Sequence, residues 1–198
     1  NVCGLGGAFL NLAWYDSSVK PAAPTRLPVL RHFQDKDLVI SRSGWNGDES
    51  VFAFRCGPHA GHHALRNYSQ CVGGGHMGPD AGSFVLFAHG DWQICDGGYA
   101  RKFTAYRNTV LVNGIGQTGE GGDWFECVAL RREKRGPRIL RVDDTGKLAV
   151  ITGDATAAYE PQAGLERFWR HVIHLRPDVW VLIDELSARG FRRGADVV

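Results

Sequence analysis

Leu165-Glu166-Arg167-Phe168-Trp169-Arg170-His171-Val172-Ile173-His174-Leu175, then Arg176-Pro177-Asp178, then Val179-Trp180-Val181-Leu182-Ile183-Asp184-Glu185-Leu186: this stretch decides the fold. Both runs are rich in β-branched and aromatic residues, which fit a pleated surface. The Pro-Asp pair between them is turn chemistry. The two runs therefore read as a pair of antiparallel strands. In the first, alternation puts Phe168, Arg170, Val172 and His174 on one face and Trp169, His171 and Ile173 on the other. Neither face is wholly apolar, so a wide sheet with one wet, functional or partner-facing side is expected. Asp184 and Glu185 are adjacent and fall on opposite faces, which excludes a cooperating carboxylate dyad of the glycoside hydrolase kind.

Working outward, the same pattern repeats. Leu38 to Arg42 and Val51 to Arg55 flank a Gly-Trp-Asn-Gly-Asp turn. Ser83 to Ala88 and Trp92 to Cys95 flank His89-Gly90-Asp91. Thr109 to Val112 ends at Asn113-Gly114, a strong turn signal. Trp124 to Arg131, Arg138 to Val142 and Lys147 to Thr152 complete the set. Sequential hairpins predict an all-β fold of two antiparallel sheets packed as a sandwich. Only Asn1 to Tyr15 carries a helical repeat, and Pro21, Pro24 and Pro28 mark an extended linker after it. The connection from Cys56 to Asp80, rich in Gly and His, predicts a functional loop.

Composition narrows the function classes. The 23 basic and 21 acidic residues leave a net charge of +2, too balanced for a nucleic-acid binder. No apolar run reaches transmembrane length. The five cysteines are odd in number and contain no C-x-x-C, which argues against a disulfide framework or a cysteine zinc site. Cys56, Cys95 and Cys127 lie in strand-like runs and read as buried small hydrophobes. His59, His62 and His63 are a conceivable metal cluster, but not at the i, i+4 spacing of a helical one. Gly114-Ile115-Gly116-Gln117-Thr118-Gly119 lacks the following helix a phosphate loop needs. The basic run Arg131, Arg132, Lys134 and Arg135 could attract an acidic glycan or simply be a solvated strand end.

Three ordered blocks carry the chemistry: Gly75-His76-Met77-Gly78-Pro79-Asp80-Ala81-Gly82-Ser83-Phe84, Asp91 to Tyr99 with Asp96-Gly97-Gly98-Tyr99, and Tyr106-Arg107-Asn108-Thr109-Val110-Leu111-Val112-Asn113-Gly114. In this order they resemble the β-sandwich domain of the heparinase II/III-like polysaccharide lyases. That family shows G-H-x-H-x-D-x-G-S-F opening a strand, then D-x-G-Y, then H-N-T-V-L-V-D-G. The resemblance extends to Ile40–Trp45, Phe54–Gly57, Arg170–Asp178 and Ile183–Leu186, covering roughly residues 28 to 188.

What the resemblance implies is β-elimination on a uronic-acid polysaccharide. The uronate carboxylate must be neutralised, a base must take the C5 proton, and an acid must protonate the leaving oxygen. In the family, base and acid come largely from Tyr and His residues of an N-terminal α/α-toroid. The sandwich supplies one His near the substrate and a zinc site of two His and one Asp. By motif, His76 takes the substrate-facing place and Asp96 that of the ligand Asp. Gly78 and Arg107 stand where the two zinc histidines belong. Neither has an atom that can ligate zinc, so no cofactor is expected, and Arg107 is expected to pair with Asp96. Arg107, Tyr106 and Tyr99 are the candidate substrate-binding residues.

The resemblance further implies a supersandwich-like fold: a remnant toroid helix over 1–16, a linker over 17–28 and the sandwich over 29–198. The partners would be an acidic polysaccharide, such as a glycosaminoglycan or alginate, and the toroid domain of the same protein, with no nucleic acid and no membrane. The chain alone would be inactive. A periplasmic or secreted bacterial location fits such a substrate, and a cytoplasmic one stays open. The alternative is a non-catalytic acidic-glycan-binding or structural domain with a lost metal site. A cupin-like metal enzyme would need inward-pointing His and carboxylates, whereas these histidines lie mainly in a loop.

Overall fold

A computed structural model describes residues 12–68, 77–99, 101–121 and 136–189. They form two antiparallel sheets and few helices. The first sheet runs in chain order through β1 (Leu30–Phe33), β2 (Leu38–Arg42), β3 (Val51–Arg55), β4 (Ser83–Ala88) and β5 (Asp91–Ile94). The second runs through β6 (Arg138–Asp144), β7 (Leu148–Asp154), β8 (Leu165–Leu175) and β9 (Val179–Ala188). Every pairing joins sequence neighbours, as a meander of hairpins requires.

Alternation sets which side chains meet between the sheets. Val39, Phe52 and Phe54 from the first sheet and Ile151, Phe168 and Val172 from the second are buried in one core. Phe52 stacks between Phe84 and Trp180, with ring centroids 5.3 and 4.6 Å away. Gly153 marks a close approach: a Cβ there would lie 2.8 Å from Cys56 Cβ and 2.8 Å from Phe54 Cζ.

Two polar residues of β8, Arg170 and His174, turn inward. Arg170 binds Asp184 through Nε and Nη2, at 2.7 Å each, and donates Nη1 to the carbonyls of Gly82 and Asn108 at 2.6 and 2.5 Å. His174 is buried between Ser41 Oγ (2.9 Å) and the Pro177 carbonyl (2.9 Å). These are satisfied internal ties on the face shared with Phe168 and Val172. The opposite face, with Trp169, His171 and Ile173 half-buried beside exposed Val181, Ile183 and Glu185 of β9, is the open side of the sheet.

Three expectations need correction. Thr109 to Val112 is not a strand. Val110 and Val112 are buried, but the Val110 carbonyl accepts from Tyr159 Oη at 2.6 Å and Val112 closes only on Ile115. The Asn113-Gly114 turn is present, with φ of 52° and 77°. Cys95 is exposed, because β5 is an outer strand and the chain leaves the sheet at Ile94; Cys56 is buried. The Gly- and His-rich connection holds a short helix, α1 (His62–Asn67), whose His62 and His63 amides donate to the Asp35 carbonyl and carboxylate. β1 has no counterpart in the sequence reading.

Of the Asn1 to Tyr15 stretch, residues 12–14 are helical, Tyr15 is not, and residues 1–11 lie outside the described residues. So do the strand expected from Trp124 to Arg131, Cys3, Cys71, Cys127 and the basic run Arg131, Arg132, Lys134 and Arg135.

Candidate functional site

Three segments converge beside β4. The chain enters β4 through Gly78-Pro79-Asp80. It leaves β5 through Cys95-Asp96-Gly97. It returns through a 3-10 turn, Thr104–Tyr106, to Arg107. Backbone contacts fix the last two together: Gly97 N–H donates to the Tyr106 carbonyl at 2.7 Å, and a Cβ on Gly97 would lie 2.7 Å from that of Tyr106. Asn108 ties both to the sheet by donating Nδ2 to the carbonyls of Phe84 and Cys95 at 2.8 and 3.1 Å. Gln117, fully buried, brackets Ala81 from behind, accepting its N–H at 3.1 Å and donating to its carbonyl at 2.8 Å.

At the convergence sits the Arg107 guanidinium, its side chain only 7% exposed. Nη1 lies 3.0 Å from Asp96 Oδ2, and Nη2 donates to the Arg101 carbonyl at 2.9 Å. A Cβ on Gly78 would be 2.8 Å from Nη2. Asp96 Oδ1 accepts the Gly98 N–H at 2.9 Å. On the other side of Gly78, Asp80 is ion-paired with Arg55, which also donates to the carbonyls of Pro58 and His59 at 2.8 and 3.0 Å. Burial pushes the Asp80 carboxyl up, against the pull of Arg55 and Arg107. His59 is buried against the Gly78 backbone. Burial, with Arg55 nearby, pushes its imidazole from 6.5 down to about 3, so it is neutral across the physiological range.

Solvent meets this centre through aromatic rings. Tyr99, Phe103 and Tyr106 are 60%, 48% and 44% exposed. Arg101 lies over the Tyr106 ring at 4.9 Å and Lys102 over the Tyr99 ring at 5.5 Å.

The structure thus brings Asp96, Arg107, Tyr99 and Tyr106 into one neighbourhood. His76 lies outside the described residues. His62 and His63 point elsewhere: His62 Nε2 meets Asp37 Oδ2 at 2.5 Å, and His63 packs on Tyr68. Arg55, Asp80, Arg101, Lys102 and Arg170 carry no site role in the sequence reading, and His59 enters it only as part of the His59, His62 and His63 cluster, which the structure does not assemble. Asp80 and Arg55 sit inside quoted motif blocks, which was the available signal. Nothing in the sequence could have shown Arg170 reaching 62 residues back to Asn108.

The described residues gathered here do not fit zinc. Gly78 contributes no side chain, and the guanidinium fills the space facing Asp96. Among the described residues, no group of three His, Cys, Asp or Glu is placed to hold a metal ion. Nor is any helix among them long and apolar enough to cross a membrane.

Comparison with known proteins adds the ancestry. Residues 25–195 match the family model described as heparinase II/III-like, C-terminal. A heparinase III solved with methylated lysines is similar over 81% of this chain, at 16% identity and a TM-score of 0.58. A second heparinase III crystal structure is similar over 81%, at 17% identity and a TM-score of 0.57. A mutant heparan sulfate lyase from Pedobacter heparinus is similar over 82%, at 15% identity and a TM-score of 0.55. The chain spans only 22 to 23% of the length of these structures.

Proposed function

The chain belongs to the heparinase II/III-like family, and from that premise we propose that it is the β-sandwich part of a polysaccharide lyase acting on a uronic-acid glycan. The catalytic base would come from a helical toroid domain of the same protein. His76 would face the substrate as an imidazole able to donate to the uronate. The reaction would be β-elimination, with loss of the C5 proton and cleavage of the C4–oxygen bond. A glycosaminoglycan such as heparan sulfate, or an alginate, would be the substrate. A periplasmic or secreted location would suit that diet.

The observation that carries this reading is the exposed surface of Tyr99, Arg101, Phe103 and Tyr106, with half-buried Lys102 over the Tyr99 ring. Aromatic faces suit the apolar faces of sugar rings. Cations held over those rings suit the carboxylates and sulfates between them. Arg107 is buried behind this surface, so it would act by shaping it. The test is ultraviolet absorbance of the unsaturated uronate product, followed with the protein joined to its toroid domain on a panel of uronate chains. Product from at least one chain, lost in His76→Ala, supports the proposal. Binding to such chains with no product from any would leave a glycan-binding domain, the second reading that the displaced metal site favours. Neither product nor binding would end both.

A further inference from the structure

We propose that Arg107 is a built-in counter-cation, holding the 77–80 and 96–98 segments together in the place where a divalent metal would otherwise join them, with Gly78 as the residue that makes room for it. This stands whether or not the protein cleaves a glycan.

Four observations carry it. First, the guanidinium is buried and its charge is spent locally, on Asp96 at 3.0 Å. Second, it touches both segments at once: Nη1 reaches Asp96, while Nη2 sits where a Cβ on Gly78 would come within 2.8 Å. Third, Gly78 shows no left-handed φ, so backbone strain does not demand glycine there. What stands in the way of a side chain is the arginine tip, which the Arg101 carbonyl and Asp96 hold in place. Fourth, the charges balance in the cluster, with Arg55 and Arg107 facing Asp80 and Asp96. A divalent ion added beside Arg107 would meet a fixed positive charge with its carboxylate already taken.

The substitution therefore comes as a pair. In this chain a bare position 78 and an arginine at 107 are steric complements. The experiment is zinc analysis and thermal unfolding of the chain and of Gly78→His/Arg107→His, which restores two nitrogen donors around Asp96. The wild-type chain should carry far less than one zinc per chain, with a Tm unmoved by zinc or by a chelator. The double variant should bind about one zinc per chain, and its Tm should rise with zinc and fall with the chelator. Adding Asp96→Ala should abolish that response. Stoichiometric zinc in the wild-type chain overturns the proposal, as does a folded double variant that ignores zinc. Should the double variant not fold, Asp96→Asn and Arg107→Gln decide. Their Tm losses should be far from additive in the pair, and additive losses would mean that the guanidinium is not acting on Asp96.

Discussion

Replacing His59 should flatten the acid limb of the stability curve. The imidazole is buried beside Gly78, and burial with the Arg55 charge pushes it from 6.5 down to about 3. Its depressed value means that folding favours the neutral ring. Its contribution is therefore intact above about 6.5 and is lost as pH falls from there towards about 3. Each unit of separation is worth about 1.4 kcal/mol, so between about pH 7.5 and pH 5 the loss is about 2 kcal/mol. His59→Gln removes the proton uptake but also disturbs packing. The quantity to read is accordingly a double difference: unfolding free energy at the two pH values, wild type minus variant, in which the packing loss cancels. Urea unfolding followed by tryptophan fluorescence supplies it. His174, whose value burial also lowers, stays in both proteins and leaves a residual acid dependence. If wild type and variant lose the same stability between the two pH values, His59 is charged or solvated in the folded chain, and its packing against Gly78 is wrong.

Three further outcomes follow from contacts described above. Arg170→Met leaves Asp184 unpaired and frees the Gly82 and Asn108 carbonyls, and should cost about 3 kcal/mol by urea unfolding. Gly153→Val forces a Cβ to 2.8 Å from Cys56 and Phe54 and should cost about 1–3 kcal/mol; Cys56→Ala should recover only part of it, because the Cβ contact persists. Tyr99→Ala with Tyr106→Ala should weaken binding of uronate oligosaccharides about tenfold, or about 1.4 kcal/mol, with Tm unchanged by calorimetry, since both rings are exposed.

Much of the fold was legible because strand alternation is local. Leu38 to Arg42, Val51 to Arg55, Ser83 to Ala88 and Leu165 to Leu175 are strands with those limits. What alternation cannot report is where a backbone finds its partners. Thr109 to Val112 has strand composition, yet the Val110 carbonyl accepts from the Tyr159 hydroxyl and the Val112 amide donates to the nearby Ile115 carbonyl, so it packs as a strand would without joining a ladder. Leu30 to Phe33, between prolines and a charged turn, is short and carries little pattern of its own, and it is a strand only because Leu38 to Arg42 lies beside it. The candidate site divides in the same way. Asp96 and Arg107 could be named from motif order. Arg55, Asp80 and His59 join them through the folding of a loop whose sequence shows only glycine and histidine.

The neutrality of His59 and the burial of Arg107 belong to one electrostatic solution. Around Gly78 the chain gathers two guanidinium groups and two carboxylates. A charged imidazole would make three cations against two anions, and burial of the ring, with Arg55 nearby, keeps it neutral. A metal-held centre can release its ion and lose its shape, whereas a guanidinium keeps its proton at any physiological pH and cannot be removed by a chelator. Replacing exchangeable charge with covalently tethered charge therefore moves the point of failure. Such a centre should ignore metal supply and yield instead to acid, when the neutral histidine at its edge takes up a proton beside Arg55.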